Sequence, residues 1–290
     1  LDGTVTVNSN ITEELYIKPV PKYNVTFEVN NTNFDSYYAN SNYHIQYPEG
    51  STFTGVTTPT SYSAGTSGSL WASIPTGYQF VKWVGSGSGS YTGTNLDGTV
   101  TVNSNITEEL YIKYVPSYNI TFKFSQSTPQ NSSVCASSGT VVEIDGNSYT
   151  CSQLPVTFKW SSTSTHSYSF QSLVGTQYPS VRFNFSSASG CGTYSQSGSI
   201  TPTYNCTVTG YYQTQYLLSM ASTPNGVGTL SPGTEWLNSG TSVTISETPK
   251  SGYSFNFWTG RGSGSYSGNA PSTTIILNSP ITETANYTAT

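Results

Sequence analysis

The sequence predicts an all-β chain of tandem small β-sandwich modules, Ig-like in patterning, and three observations predict it. Segments that alternate with period two, or are rich in Val, Ile, Thr, Tyr and Phe, recur along the whole chain: YNVTFEV, LWASIP, GTVTVN, LYIKYV, YNITFKF, TVVEI, LPVTFKW, VRFNF, TSVTISE and TTIILN. Gly, Asn, Ser and Pro clusters separate them, among them Asp145-Gly146, a dipeptide suited to a tight hairpin turn. No segment sustains a helical period. Finally, the sequence repeats itself, and such repetition fixes architecture before any local signal does.

Residues 1–18, LDGTVTVNSNITEELYIK, return unchanged at 96–113. Residues 252–284 align without a gap to 77–109 in a shared Gly-Tyr-x-Phe-x-x-Trp-x-Gly-x-Gly-x-Gly-Ser-Tyr-x-Gly frame, an alternating strand, and Asn-Ser-x-Ile-Thr-Glu. A degenerate copy at 181–198 keeps Phe183, Gly190, Gly192 and Tyr194, with Ser186 expected at the tryptophan position. The chain therefore reads as a half repeat (1–22) and three modules (23–116, 117–214 and 215–290), each of a size that buries one modest core. An isolated strand pair cannot bury its own apolar face. Residues 1–18 are accordingly expected either to end an upstream module or to act as a donor strand to another chain, with Val5, Val7, Leu15 and Ile17 setting the register.

Composition narrows the setting. Charged residues make up 8% of the chain, against roughly a quarter in ordinary globular proteins, while Tyr reaches 23 and aromatics recur at fixed repeat positions, which argues for folded modules over disorder. The net charge of −5 offers no basic stripe for nucleic acid and no polybasic membrane patch. No apolar run approaches the length of a membrane span, and Leu1 reads as the start of a processed or excised chain. With so few ionisable groups to titrate, the chain suits an acidic habitat.

Nine Asn-x-Ser/Thr acceptors open at Asn10, Asn24, Asn30, Asn105, Asn119, Asn131, Asn184, Asn205 and Asn286, several at matching module positions, and predict a secreted glycoprotein carrying N-linked glycans. Cys135, Cys151, Cys191 and Cys206 all fall in the middle module, spaced too widely for zinc knuckles. Of three possible disulfide pairings, Cys135 with Cys151 and Cys191 with Cys206 is favoured, because each pair flanks a predicted hairpin or strand return. An oxidising, extracellular compartment follows.

No catalytic, cofactor-binding or metal-binding residue is assigned, and no cofactor is expected. The Gly-rich loops lack the Gly-Lys-Ser/Thr ending of a phosphate cradle and precede no helix. His44 and His166 lie apart with no local acidic cluster to make either a triad base or a metal ligand. Glu13-Glu14 and Glu108-Glu109 are adjacent pairs, which a strand points to opposite faces, unsuited to glycosidase geometry. Asp2 and Asp97 precede glycine and shape turns. Trp83 and Trp258, each three residues after a Phe, read as core; Trp71, Trp160 and Trp236, outside the repeat frame, are the better candidates for stacking on sugars. Lys123 or Lys159 beside an Asn could form an isopeptide bond only with a buried acid nearby.

The Gly-Trp frame, followed by Ile-Thr-Glu-Thr-Ala-x-Tyr at 281–287, resembles the extracellular β-repeat family of bacterial repeat domains, related to the Listeria-Bacteroides repeats and common in archaeal secreted and surface proteins. Residues 224–236 and 252–287 carry the resemblance most fully. The middle module, with GTVVEIDGNSYT, LPVTFKW and HSYSF, is similar to a second archaeal surface repeat, and together these cover most of residues 70–290. The resemblance implies stalks, adhesins, appendages of extracellular enzymes or surface filaments, with no catalytic residues to carry over. The Tyr-rich, glycosylated character also resembles archaeal thread or pilus subunits built by donor-strand complementation. Two functions are thus expected: a non-enzymatic structural subunit of a cell-surface filament, its partners copies of itself, or a spacer or carbohydrate-binding, adhesive part of a larger secreted protein.

Overall fold

The computed structural model describes residues 8–9, 12, 14–31, 45–47, 51–53, 59–72, 74, 76–126, 139–193 and 195–290. The chain divides into two compact units, Leu1–Val115 and Pro116–Thr290. All ten segments expected to be strands are strands, and the described residues are otherwise turns, irregular chain and one 3-10 turn at Cys151–Gln153.

The first unit comprises β1 (Lys22–Asn31), β2 (Ile45–Tyr47), β3 (Ser51–Phe53), β4 (Thr60–Ser63), β5 (Ser67–Ala72), β6 (Tyr78–Ser86), β7 (Gly98–Thr101) and β8 (Ile106–Tyr114). They form two four-stranded sheets, β4-β1-β8-β6 and β3-β2-β5-β7. Period-two alternation decides what enters the core: Ile106, Glu108, Leu110 and Ile112 of β8 are buried while Thr107, Glu109 and Tyr111 turn away. They meet Val25 and Phe27 of β1, Leu70 and Ala72 of β5, Trp83 of β6 and Val100 of β7 in one cluster. Each such buried apolar side chain contributes roughly 1.5–3 kcal/mol.

The second unit contains two such cores. Its strands are β9 (Ser117–Gln126), β10 (Thr140–Ile144), β11 (Asn147–Thr150), β12 (Val156–Ser161), β13 (His166–Phe170), β14 (Leu173–Gly175), β15 (Val181–Ser189), β16 (Ser197–Ile200), β17 (Cys206–Thr223), β18 (Gly228–Ser231), β19 (Glu235–Asn238), β20 (Ser242–Pro249), β21 (Tyr253–Arg261), β22 (Ser272–Ile276) and β23 (Ile281–Ala289). The first core lies between β12-β9-β17-β15-β14 and β11-β10-β13-β16. In the second, β17 pairs with β19 and β23, and β23 with β21, opposite the sheet β18-β20-β22. β17 serves both cores, so the position expected for a module boundary, 214/215, falls inside a continuous strand. Thr214 is buried there.

Asp145 and Gly146 close the β10–β11 hairpin with φ of 48° and 76°. Two successive positive φ values define the turn whose twist matches that of the flanking strands.

Candidate functional site

In each of the three sandwiches the last strand lies parallel to the first. β8 pairs with β1 from Val25↔Ile106 to Asn31↔Ile112, β17 with β9 from Ile120↔Cys206 to Gln126↔Tyr212, and β23 with β17 from Leu218↔Ile281 to Thr223↔Asn286. On its other side each closing strand pairs antiparallel, with β6, β15 and β21 respectively. A side-chain amide fixes the register of the first two joints: Asn105 Oδ1 accepts the Asn24 N–H at 2.9 Å and Asn205 Oδ1 the Asn119 N–H at 2.8 Å.

Residues 11–18 repeat the sequence of β8, yet 14–21 take no regular structure. Leu15, Tyr16 and Ile17 are 74%, 86% and 80% exposed, whereas their counterparts Leu110 and Ile112 are buried. Val5 and Val7 lie outside the described residues.

The glycine-rich turn after β6 folds over a buried carboxylate. Glu108 is fully buried, and its Oε1 accepts the Tyr91 N–H at 2.8 Å. Trp83 and Gly93 exchange main-chain hydrogen bonds of 2.8 and 3.2 Å, and the Trp83 indole N–H donates to Leu96 O at 2.9 Å. Gly85 lies against Tyr91 O and Glu108, so a Cβ there would collide with both, and Gly89, at φ +90°, lies against Thr101 O. The third module repeats this arrangement: Tyr266 N–H donates to buried Glu283 Oε1 at 2.7 Å beneath the Trp258–Gly268 pair. Burial pushes the Glu108 carboxyl up to about 7 and raises that of Glu283, the Tyr N–H opposing it in both. These glycines therefore serve close packing.

The middle module solves the same packing problem differently. β15 carries its bulge between Phe185 and Ser187, as β6 does between Phe80 and Lys82. Counting from the bulge, the residue at the tryptophan position is buried Ala188 rather than the expected Ser186. Across the joint, Gly210 pairs with Ala188, and the Phe170 ring occupies the space beside Gly210 that a Cβ would need. Val208, buried, faces the core from the closing strand. The sequence alignment missed this because it has no means of placing a bulge.

The candidate modification sites are spread over the surface. Asn24, Asn105, Asn119 and Asn205 are exposed, Asn184 and Asn286 half-buried. Asn286 Nδ2 donates to Phe257 O, Thr259 Oγ1 and Thr284 O at 3.0–3.2 Å, so the atom a glycan would occupy is committed. Asn10 and Asn131, and the side chain of Asn30, lie outside the described residues. Cys191 and Cys206 form a disulfide with Cα atoms 5.4 Å apart. Cys151 is also disulfide-bonded; its expected partner Cys135 lies outside the described residues. Lys123 and Lys159 are exposed, not in the dry setting that an isopeptide bond requires.

His166 has acidic company that the sequence did not reveal. Its Nδ1 lies 2.6 Å from Asp145 Oδ2 and its Nε2 2.8 Å from Ser164 Oγ, and its ring stacks on Trp160 at 3.8 Å and 5°. The hydrogen bond to His166 is the main cause that holds the Asp145 carboxyl below its usual range. A nucleophilic serine directs its proton at the imidazole, but Ser164 Oγ donates to Ser161 O at 2.7 Å. The group ties the β10–β11 turn to the start of β13. Asp145 lies 21 residues from His166, and only the β10–β13 register, with Ile144 opposite Tyr168, brings them together.

Residues 43–109 and 218–290 match the family model described as the divergent InlB B-repeat domain, in agreement with the surface-repeat resemblance of the Gly-Trp frame; the middle module lies outside the match. A comparison with curated proteins found no match. Among solved structures, the pilus adhesin SpaC of Lactobacillus rhamnosus GG overlaps 93% of this chain at 10% identity and a TM-score of 0.18, and the chain spans 44% of that adhesin. A point variant of the major pilin of Streptococcus pyogenes overlaps 93% of this chain and 99% of its own at 9% identity and a TM-score of 0.17. Overlaps at such scores carry no weight for fold or function.

Proposed function

We propose that the chain is a structural subunit of an extracellular, glycosylated cell-surface filament or stalk, whose copies join through the segment at 11–18. One observation carries this reading: the sequence ELYIK belongs to a closing strand at 109–113, with Leu110 and Ile112 buried, and is exposed and outside any strand at 14–18. An apolar strand left outside a sheet is an association hazard, and addition to an open sheet edge of another copy removes it through main-chain hydrogen bonds, with Leu15 and Ile17 setting the register. The parallel first-to-last pairing in every module suits a chain under tension. Pulling the two ends of a module apart slides β8 along β1, so the evenly spaced bonds of the ladder are loaded together.

The test is deletion of residues 1–22. Fibres seen by electron microscopy for the full chain and lost on deletion support the reading; fibres that persist, or a full chain that stays monomeric at high concentration, overturn it.

A further inference from the structure

Residues 15–17, Leu-Tyr-Ile, repeat 110–112, and the strand beside 110–112 shows what that tripeptide fits. On β6, Phe80, Lys82 and Trp83 stand opposite Ile112, Tyr111 and Leu110, with Val81 left over in the bulge. Phe80 and Trp83 pack in one core with Leu110 and Ile112. On the outer face Lys82 Nζ lies 4.8 Å from the centre of the Tyr111 ring, and the Tyr111 hydroxyl donates to Glu109 Oε2 at 2.7 Å.

Strand β12 carries the same three side chains without the bulge. Phe158 and Trp160 belong to the core of the middle module, their rings stacked at 5.0 Å, and Lys159 between them is exposed. β12 ends its sheet: among the described residues it pairs with β9 alone, and the far side of such a strand presents main-chain groups without ladder partners. The corresponding side of β6 is closed by the Trp83–Gly93 hydrogen bonds, and that of β21 by the Trp258–Gly268 pair. β12 is six residues long and Phe158 is only half-buried. No other open edge among the described strands carries a lysine or arginine.

We propose that β12 of one copy receives residues 14–18 of another as an added antiparallel strand, an inference that rests on the assembly reading above and names its acceptor. Tyr16 then opposes Lys159, Leu15 opposes Trp160 and Ile17 opposes Phe158, which is the pairing of β8 with β6 once the bulge is removed. Leu15 and Ile17 cover the open flank of the aromatic pair, and the ladder closes the edge. The outer face is set in advance: the Tyr16 hydroxyl donates to Glu14 Oε2 at 2.6 Å with both residues exposed, the same Tyr-Glu pair that meets Lys82 in the first module. An edge lysine ordinarily keeps foreign strands away. This one admits a strand that brings a tyrosine ring and a carboxylate to it, so the same residue both protects the edge and selects its partner.

The full chain is made with p-benzoylphenylalanine in place of Tyr16, in equal parts isotopically heavy and light so that adducts between copies are told from adducts within one, and its fibres are irradiated and digested. Adducts between copies should fall on residues 157–161. Lys159→Glu, which sets like charges together at Glu14, should raise the concentration needed for assembly about tenfold without moving the thermal midpoint, and Glu14→Lys added to it should restore assembly. Adducts on another strand, a Lys159→Glu variant that assembles like the parent, or a charge swap that restores nothing would overturn β12 as the acceptor and leave the assembly reading standing. A full chain that forms no fibres, or fibres that survive deletion of residues 1–22, would overturn both.

Discussion

Tyr91 donates its main-chain N–H to one oxygen of the Glu108 carboxyl at 2.8 Å, while the other oxygen, Oε2, is buried without a hydrogen-bond partner. Tyr266 and Glu283 repeat the relationship, Glu283 Oε2 again alone. A charged carboxylate so placed is costly; a protonated one is not.

Stability of the first unit therefore falls as pH rises. The Glu108 pKa in the folded state is raised from 4.5 to about 7, so its contribution is fully present below 4.5 and is lost as pH climbs through 7. A displacement of that size corresponds to about 3 kcal/mol. Thermal unfolding of the full chain followed by circular dichroism should show a higher midpoint at pH 4.5 than at pH 8, and Glu108→Gln should flatten the dependence. A midpoint that rises between those pH values would contradict the assignment. The low charge content, read from the sequence as suiting an acidic habitat, acts in the same direction.

Glycines in different turns of the first unit, Gly65 between β4 and β5 and Gly89 after β6, differ in what they tolerate. Gly89 stands at φ +90° with Thr101 O where a Cβ would go, whereas Gly65, at φ +84°, has open space. Gly65→Ala should cost about 1 kcal/mol, the strain of a positive φ alone. Gly89→Ala adds a main-chain collision and should exceed 3 kcal/mol, in the range reserved for named structural faults. Urea unfolding of the two variants measures the gap; equal costs would show that the turn yields.

Period two made the strands and the cores legible in the sequence, and the repeat did the same for buried Trp83 and Trp258, whereas Trp160, read as a candidate for stacking on sugars, is buried as well. Period two also carried the burial of Glu108, which shares a face with Ile106 and Leu110, although composition argues for an exposed glutamate. What it could not carry is pairing between distant strands. The register of β10 on β13 brings Asp145 to His166, and the bulge of β15 moves Ala188 into the tryptophan position; both depend on contacts that no local window contains. The alternation of Leu15 and Ile17 was visible, but an identical sequence at 110 and 112 shows that alternation specifies a face and says nothing of the partner.

The Cys191–Cys206 bridge spans 15 residues and ties the end of β15 to the start of β17. Closing a loop of that length contributes about 3 kcal/mol through the unfolded chain. The double variant Cys191→Ser with Cys206→Ser should lower the urea midpoint of the second unit accordingly and leave that of the first unit unchanged, which separates the two units experimentally. A change in the first unit's transition would show that the units do not unfold independently.

The sharpest comparison uses one substitution at two copies of one sequence. Leu110 is buried between β1 and β6, so Leu110→Asp places an unpaired charge in the core and should destabilise the first unit by more than about 4 kcal/mol. Leu15 has the same neighbours in sequence and is 74% exposed; Leu15→Asp should change the stability of the monomer by less than about 0.5 kcal/mol. If the segment at 11–18 adds to a sheet edge of another copy with Leu15 on the core face, however, the aspartate meets in the fibre an apolar environment of the kind that Leu110 meets in the monomer. Fibre yield by sedimentation should then collapse for Leu15→Asp while the monomer midpoint stays put. A variant that assembles like the parent would show that Leu15 faces solvent in the assembly too, and the joint would have to be sought elsewhere.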